Sequence, residues 1–378
     1  MDAAGRALRL FREEFGGEPE TLVRAPGRVN LIGEHTDYNE GFVLPAAIDR
    51  DLCIAVRPRP DPLVDVRSEG RERRAIALDR FEHRVGDWSD YVQGVTWALS
   101  EVGYRLVGWD GAIASDVPVG AGLSSSAAIE LATAKACETT TGFRWDPTEI
   151  ATLCRRAENR WVGVASGLMD QIACARGRRD HAILLDCRSL DLELVPVPGG
   201  ASIVILDTGT RRELKSSAYN DRRRECEAAA RELGVGSLRD VPAASLPIST
   251  ASLSPPLRRA RHVVTENART LAAAEAMRAG DARSMGRLMN ESHASLRDDF
   301  EVSSEALDAI VEAAQAADGC FGARLTGAGF AGCAVALVDE FAAAGFERAV
   351  STTYARATGR TCTAYVCRAS DGVSAQSR

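Results

Sequence analysis

The chain has 378 residues, 45% hydrophobic and 26% charged, with a formal net charge of -7 at pH 7 and a pI near 5.5. That length and apolar content support an ample core and suit two domains better than one. The acidic balance disfavours nucleic acid or an anionic membrane surface as partner. Ten cysteines are scattered through apolar stretches, with no CxxC pair and no histidine at zinc spacing, and read as reduced core residues.

The opening segment MDAAGRALRLFREEFG carries acids and lacks a long apolar stretch, which predicts a helix instead of a signal peptide. No 18-residue apolar run follows, so the chain is expected to be cytoplasmic, without a membrane span. Beta-branched runs at 52–57, 63–66 and 112–117 predict strands that alternate with helical stretches at 91–102 and 127–139. A helical period recurs at 147–164, and 182–185 and 192–195 read as short strands ending in the cluster Pro-Val-Pro-Gly-Gly at 196–200. That cluster predicts a boundary between domains at 1–199 and 200–378. Beyond it come a strand at 203–206 and mostly helix to about 316, broken by the uncharged Ser/Pro stretch 243–256. A strand at 333–338, a helix and a last strand at 363–366 close a chain of α/β or α+β character without internal repeats.

Three glycine-bearing segments carry the chemistry. PVGAGLSSSAAIE, residues 118–130, follows a predicted strand and opens a predicted helix. Gly120 and Gly122 let the backbone approach a ligand, three hydroxyls follow, and the helix start offers free N–H groups and partial positive charge, which together suit a polyphosphate. The segment lacks the lysine of a Walker A loop and the third glycine of a dinucleotide fingerprint. Taken alone, a Gly/Ser turn with a serine N-cap would also account for it. In the second segment, residues 24–45, Arg28, Asn30, Glu34, His35, Asp37 and Tyr38 fall within eleven residues between apolar runs. Such a cluster supplies the donors and acceptors that read sugar hydroxyls, whereas a surface loop of satisfied charges is the plainer account of any one of them. The third, LTGAGFAGC at 325–333, spells GxGxxG but runs into a strand instead of leaving one, so it is either a tight packing turn or a phosphate-facing loop.

In this order and at these separations the three segments resemble the motifs of the GHMP kinase superfamily, and GRVNLIGEHTDYN at 27–39 is similar almost letter for letter to the galactokinase signature. PVGAGLSSSA resembles the superfamily's ATP-binding motif and GAGFAGC its third motif. AEN at 157–159, GLMDQ at 167–171, LLDCRSL at 184–190, SSAYNDRRREC at 216–226 and RLMNESHASLRDDFEVS at 287–303 extend the likeness from about residue 21 to the end. The resemblance implies an α+β, two-domain GHMP kinase fold, with mixed sheets covered by helices and an active site in the cleft between domains. It further implies a monomeric enzyme that phosphorylates D-galactose at the anomeric hydroxyl, with ATP and Mg²⁺.

The family's site residues carry over motif by motif. Asp170 of Gly-Leu-Met-Asp-Gln takes the place of the catalytic aspartate, and Arg28 that of its paired arginine. Glu34, His35, Asp37, the backbone at Gly167 and Tyr219 take the sugar-binding places, together with Arg28 and Asp170. Gly120, Ala121, Gly122, Leu123, Ser124, Ser125, Ser126 and Ala127 form the ATP turn, and Trp88 resembles the aromatic residue beside adenine. Glu158, with a hydroxyl from the serine run (Ser126, or else Ser125), takes the place of the Mg²⁺ ligands.

Two departures from the family pattern stand out. Ala331 replaces the more usual glycine of the third motif, and Ala165-Ser166 precede Gly167 where Asn-Cys or Pro-Cys is more common, so this wall of the sugar pocket is expected to be reshaped. Alternatives are therefore an anomeric kinase for N-acetylgalactosamine or a rare heptose or octose, and a galactose sensor that binds without turnover. The intact Ser124 to Ala127 run and Asp170 argue against the sensor. The Glu34–Asp37 cluster suits a polyhydroxylated neutral substrate better than mevalonate or homoserine.

Overall fold

A computed structural model of the chain describes residues 1–81, 84–211, 215–242, 245 and 253–378, and only the backbone of 215–217. The predicted break at 243–256 lies largely outside these residues. Helix α1 (Ala3–Phe15) starts where the Asp2 carboxylate accepts the Gly5 N–H, and its buried stripe of Ala3, Ala7 and Phe11 lies at helical spacing. Next come strands β1 (Thr21–Asn30), β2 (Phe42–Val43), β3 (Pro45–Pro58), β4 (Leu63–Ser68) and β5 (Arg73–Ala77), then α2 (Ser89–Glu101), β6 (Trp109–Ser115) and α3 (Ser125–Thr141). Helix α4 (Pro147–Ala157) has Asp146 as N-cap and proline in its first turn. It passes into a π-helical turn, Glu158–Val162, before α5 (Met169–Arg176), so the helical period expected to 164 changes pitch at Glu158.

Strands β7 (His181–Asp186), β8 (Leu192–Pro196) and β9 (Ala201–Asp207) flank the 196–200 turn. Four helices follow: α6 (Lys215–Glu232), α7 (Pro255–Arg278), α8 (Ala282–Asp298) and α9 (Glu305–Gln315). Strands β10 (Cys320–Leu325) and β11 (Cys333–Asp339), helix α10 (Ala343–Thr358) and strands β12 (Thr363–Cys367) and β13 (Ser374–Ser377) complete the chain.

The strands form a six-stranded sheet ordered β13-β1-β3-β6-β4-β5, a four-stranded sheet ordered β10-β11-β9-β12 and a three-stranded sheet β2-β7-β8. All neighbours are antiparallel except β4 and β6. The first sheet and helices α2 to α5 share the largest core, whereas α9 and α10 close a second core on β9, β10 and β11. All ten cysteines are free and seven of them are buried, as thiols within such cores. Among the described residues no helix is long and apolar enough to cross a membrane.

Candidate active site

A cavity of about 610 Å³ is bounded by the ends of β1 and β6, the start of α3, the π-helical turn, the start of α5, Tyr219 of α6 and the β10–β11 turn. Every side chain assigned to the sugar lines it, as do Trp88, Gly120, Gly122, Ser124, Ser125, Ser126 and Glu158. Ala121, Leu123 and Ala127 are buried in the core and are not among the lining residues, so the turn meets the cavity through glycine backbone and serine hydroxyls.

Strand β1 is irregular between Pro26 and Arg28, where its register on β3 shifts. Such an irregularity re-aims side chains, and here the Arg28 backbone N–H donates to the Leu123 carbonyl at 3.2 Å. The Arg28 guanidinium then donates to Asp170 Oδ1 from Nε at 2.7 Å and lies 2.6 Å from it through Nη2. Its Nη1 donates to the Gly122 carbonyl at 2.6 Å. One arginine therefore ties the aspartate of α5 to the glycine turn. Asp170 sits in the first turn of α5, where the helix dipole favours a negative charge.

Ser124 precedes α3 in a left-handed conformation, φ 55° and ψ 49°, and makes no capping bond. Its hydroxyl donates instead to Asp170 Oδ2. The serine that reads as an N-cap in the sequence therefore serves the aspartate, and the helix start is not capped by it. A strained non-glycine backbone of this kind persists where the surroundings over-determine it, as at ligand sites.

The polar cluster of the second segment lies beside this pair. His35 also has a positive φ of 61°. Its Nδ1 lies 2.9 Å from the Tyr38 hydroxyl, and its ring packs against Phe300 and Tyr219 at centroid distances of 4.6 and 5.7 Å. Burial, reinforced by the Asp170 charge, pushes Asp37 up to about 7. Gly167 has a second use besides its backbone: a Cβ built on it would lie 1.8 Å from Asp37 Oδ2, so only glycine leaves room for that carboxylate.

Glu158, at the start of the π-helical turn, is buried, and its carboxylate collects uncharged donors. These are the hydroxyls of Ser166 and Ser126 and, at 3.0 Å, Gln171 Nε2. Burial raises Glu158 above its ordinary range. Among the described residues no group of three or more His, Cys, Asp or Glu side chains could hold a metal ion. One carboxylate and one hydroxyl facing a polyphosphate turn nevertheless fit Mg²⁺, a hard ion that takes one or two protein oxygens and completes its shell with phosphate and water. Ser166 lines the cavity but turns its hydroxyl to Glu158, so the Ala165-Ser166 departure bears on this carboxylate as well as on the sugar wall.

Several lining residues carry no motif. Leu52, Tyr91 and Ile113 line the cavity, as does Trp88, and Ser68 and Arg71 reach it from the β4–β5 hairpin. Leu52 and Ile113 sit in almost continuously buried runs of β3 and β6, so no local pattern marks them as facing the cavity, and Ser68 and Arg71 read as ordinary turn residues. The third glycine segment lies backbone to backbone on the 120–126 turn, where a Cβ added at Gly332 would come within 3.0 Å of the Ala121 carbonyl oxygen. Gly327, Ala328 and Ala331 line the cavity, so this segment is both a packing turn and part of the site wall.

Comparison with known proteins agrees with this geometry. Residues 9–58 match the galactokinase galactose-binding signature, 90–178 the GHMP kinase N-terminal domain and 273–356 the GHMP kinase C-terminal domain. The chain is 50% identical to a galactokinase of Roseiflexus sp. over 98% of its own length and 96% of that protein's. It is 46% identical to a galactokinase of Chloroflexus aggregans over 96% and 95% respectively. A galactokinase of Lactococcus lactis, solved in complex with galactose, superposes with a TM-score of 0.93 at 37% identity, covering 97% of this chain and 98% of that one. A mevalonate kinase at 19% identity and a TM-score of 0.66 shares the fold. The chain belongs to the galactokinase family of GHMP kinases.

Proposed function

We propose that the chain transfers the γ-phosphoryl group of ATP to the anomeric hydroxyl of D-galactose, giving α-D-galactose 1-phosphate and ADP. One placement carries this function. The Arg28–Asp170 pair, 2.6 Å apart, stands in a single cavity between the serine-bearing turn and the Glu34, His35, Asp37 and Tyr219 cluster. The Lactococcus lactis relative was solved with galactose, which supports the same sugar here.

Phosphoryl transfer has a loose transition state, so the protein's work is positioning and charge neutralisation. The 120–126 turn and the start of α3 receive the phosphates, and the apolar lining residues Trp88, Tyr91, Leu52 and Ile113 suit adenine. Glu34, His35, Asp37 and Tyr219 orient the sugar. As the anomeric oxygen bonds to the γ-phosphorus, the bond from that phosphorus to the bridging oxygen breaks and its electron pair leaves on ADP. Asp170 accepts the hydroxyl proton; each carboxylate oxygen has two acceptor sites, so Arg28 and Ser124 leave room for it. Arg28 neutralises charge on the transferring group. Glu158 and Ser126 would hold Mg²⁺, which when bound offsets the charge of the β- and γ-phosphates.

We further propose that the turn at 196–200 divides a domain of residues 1–199 from one of 200–378, with β13 returning across it to β1, and that the enzyme is a cytoplasmic monomer. Light scattering on the purified protein tests the monomer. For the reaction, ³¹P NMR of products from ATP, Mg²⁺ and a sugar panel should show a phosphomonoester coupled to the anomeric proton, formed fastest from galactose. Phosphorylation at another carbon, or faster turnover of N-acetylgalactosamine or a heptose, would overturn the assignment.

A further inference from the structure

Strand β10 ends in Arg324 and Leu325, and the turn that follows begins Thr326-Gly327. Arg324 is 0% and Glu34 3% exposed, yet Glu34 also lines the cavity. Three donors from this stretch converge on one oxygen of that carboxylate. Glu34 Oε1 accepts the Gly327 N–H at 2.7 Å, and lies 3.2 Å from the Thr326 hydroxyl, which shares its single proton between this oxygen and the Asn30 carbonyl at 3.1 Å, and 3.5 Å from Arg324 Nη1. Arg324 Nη1 also donates to the Asn30 carbonyl at 3.2 Å, while its Nε and Nη2 are buried with no hydrogen-bond partner among the described residues. A guanidinium buried with two donors unmatched costs desolvation free energy, and strand packing alone would be served better by an apolar side chain.

The backbone of the same loop is held from the same side. The Gly33 N–H donates to Glu266 Oε1 at 3.0 Å, and His262 Nε2 lies 3.1 Å from the Glu34 carbonyl oxygen. Burial raises Glu34 above the ordinary carboxylate range, with Arg324 and Arg28 opposing that shift.

We propose that Arg324 is a positioning residue of the sugar site: with Thr326 and Gly327 it occupies Glu34 Oε1 and so presents the other oxygen, Oε2, to a hydroxyl of the sugar. The third glycine segment thereby takes part in sugar recognition from the far side of the chain. This rests on Glu34 being a sugar ligand, and the test separates the two claims.

Galactose affinity is measured on the full chain by calorimetry without nucleotide, and KM against kcat is measured at saturating ATP, for Glu34→Gln, Arg324→Met, Thr326→Val and the double variant Glu34→Gln/Arg324→Met. The expected result is that Arg324→Met and Glu34→Gln each weaken galactose by on the order of 10-fold or more. ATP KM should stay within about 2-fold, and in the Glu34→Gln background Arg324→Met should add less than about 3-fold, because the two act as one unit. If Glu34→Gln weakens the sugar while Arg324→Met leaves it unchanged, or if the two effects multiply, Arg324 does not act through Glu34 and the proposal falls. Unchanged affinity in Glu34→Gln would remove Glu34 itself from the sugar site, and this proposal with it. Should Arg324→Met fail to fold, the near-isosteric Thr326→Val decides: a several-fold loss of galactose affinity supports the clamp and full affinity overturns it.

Discussion

Arg28 and Asp170 are 142 positions apart in sequence, yet two guanidinium nitrogens of the first lie 2.7 and 2.6 Å from one oxygen of the second. The third nitrogen is spent on the Gly122 carbonyl. The aspartate is thus fixed relative to the phosphate turn by a rigid planar cation, which a lysine could not replace. Asp170→Asn keeps the shape and removes the proton acceptor. It should lower kcat by on the order of 10²-fold or more while galactose binding stays measurable by calorimetry. Turnover at the parental rate in an ADP-release assay would exclude Asp170 from the chemistry.

Asp37 is the group through which a pH dependence near neutrality is expected. Its carboxyl is raised to about 7, first by burial and then by the Asp170 charge. If the ionised form accepts hydrogen bonds from the sugar, galactose KM should rise as pH falls below 7, approaching about tenfold per unit, and Asp37→Asn should flatten that rise. Stability of the unliganded protein runs the other way. A carboxyl whose folded-state value lies above its unfolded value makes the folded state the better proton binder, so its contribution is lost as pH rises from about 4 to about 7. Asp37→Asn should therefore gain Tm relative to the parent as pH goes from 5 to 8. A constant Tm difference would refute the shift.

The glycine and serine letters of 118–127 and the crowded polar residues of 28–38 could be read in sequence because backbone approach and clustered donors have few other uses. The β-branched run predicts a strand at 112–117, whereas β6 spans Trp109–Ser115, because its start is set by pairing with Arg57 and Pro58 and not by its own residues. No strand is predicted at β13, because Ser374 to Ser377 are polar, exposed and held by an edge pairing with β1 that no local pattern encodes. Arg324 carries no local signal either: no strand is predicted at 320–325, and the third glycine segment, expected only to enter a strand, in fact leaves β10 and enters β11. The burial of Arg324 against Glu34, 290 positions earlier, exists only in three dimensions.

Ser166 separates two accounts of the Ala165-Ser166 departure. Its hydroxyl donates to Glu158 and lies 3.3 Å from Asn159 Oδ1. Removing a hydrogen bond that orients a metal ligand typically costs about 10–100-fold in metal affinity. Ser166→Ala should accordingly raise half-saturating Mg²⁺ by roughly 10-fold while galactose KM stays within about 2-fold. Titration of Mn²⁺ by electron paramagnetic resonance in the presence of ADP gives the same comparison without turnover. A shift confined to galactose KM would assign the segment to the sugar wall alone.

Gly167 offers the sharpest steric test. No positive φ is required there, so Gly167→Ala adds a methyl group without backbone strain, but that methyl would sit 1.8 Å from Asp37 Oδ2 and 2.3 Å from its carboxyl carbon. The methyl is anchored to backbone and Asp37 is a side chain, so Asp37 must rotate away, carrying its acceptors out of the sugar site. A misplacement of about 1 Å can cost on the order of 10²-fold, and galactose kcat/KM should fall by about that much while ATP KM is retained. Gly236→Ala, at an exposed glycine with no heavy atom within 4 Å of the added carbon, serves as the control and should leave both constants unchanged. If Gly167→Ala behaves like the control, Asp37 makes no contact with the sugar; if ATP KM moves as well, the substitution has disturbed α5 and Asp170 instead of the pocket wall.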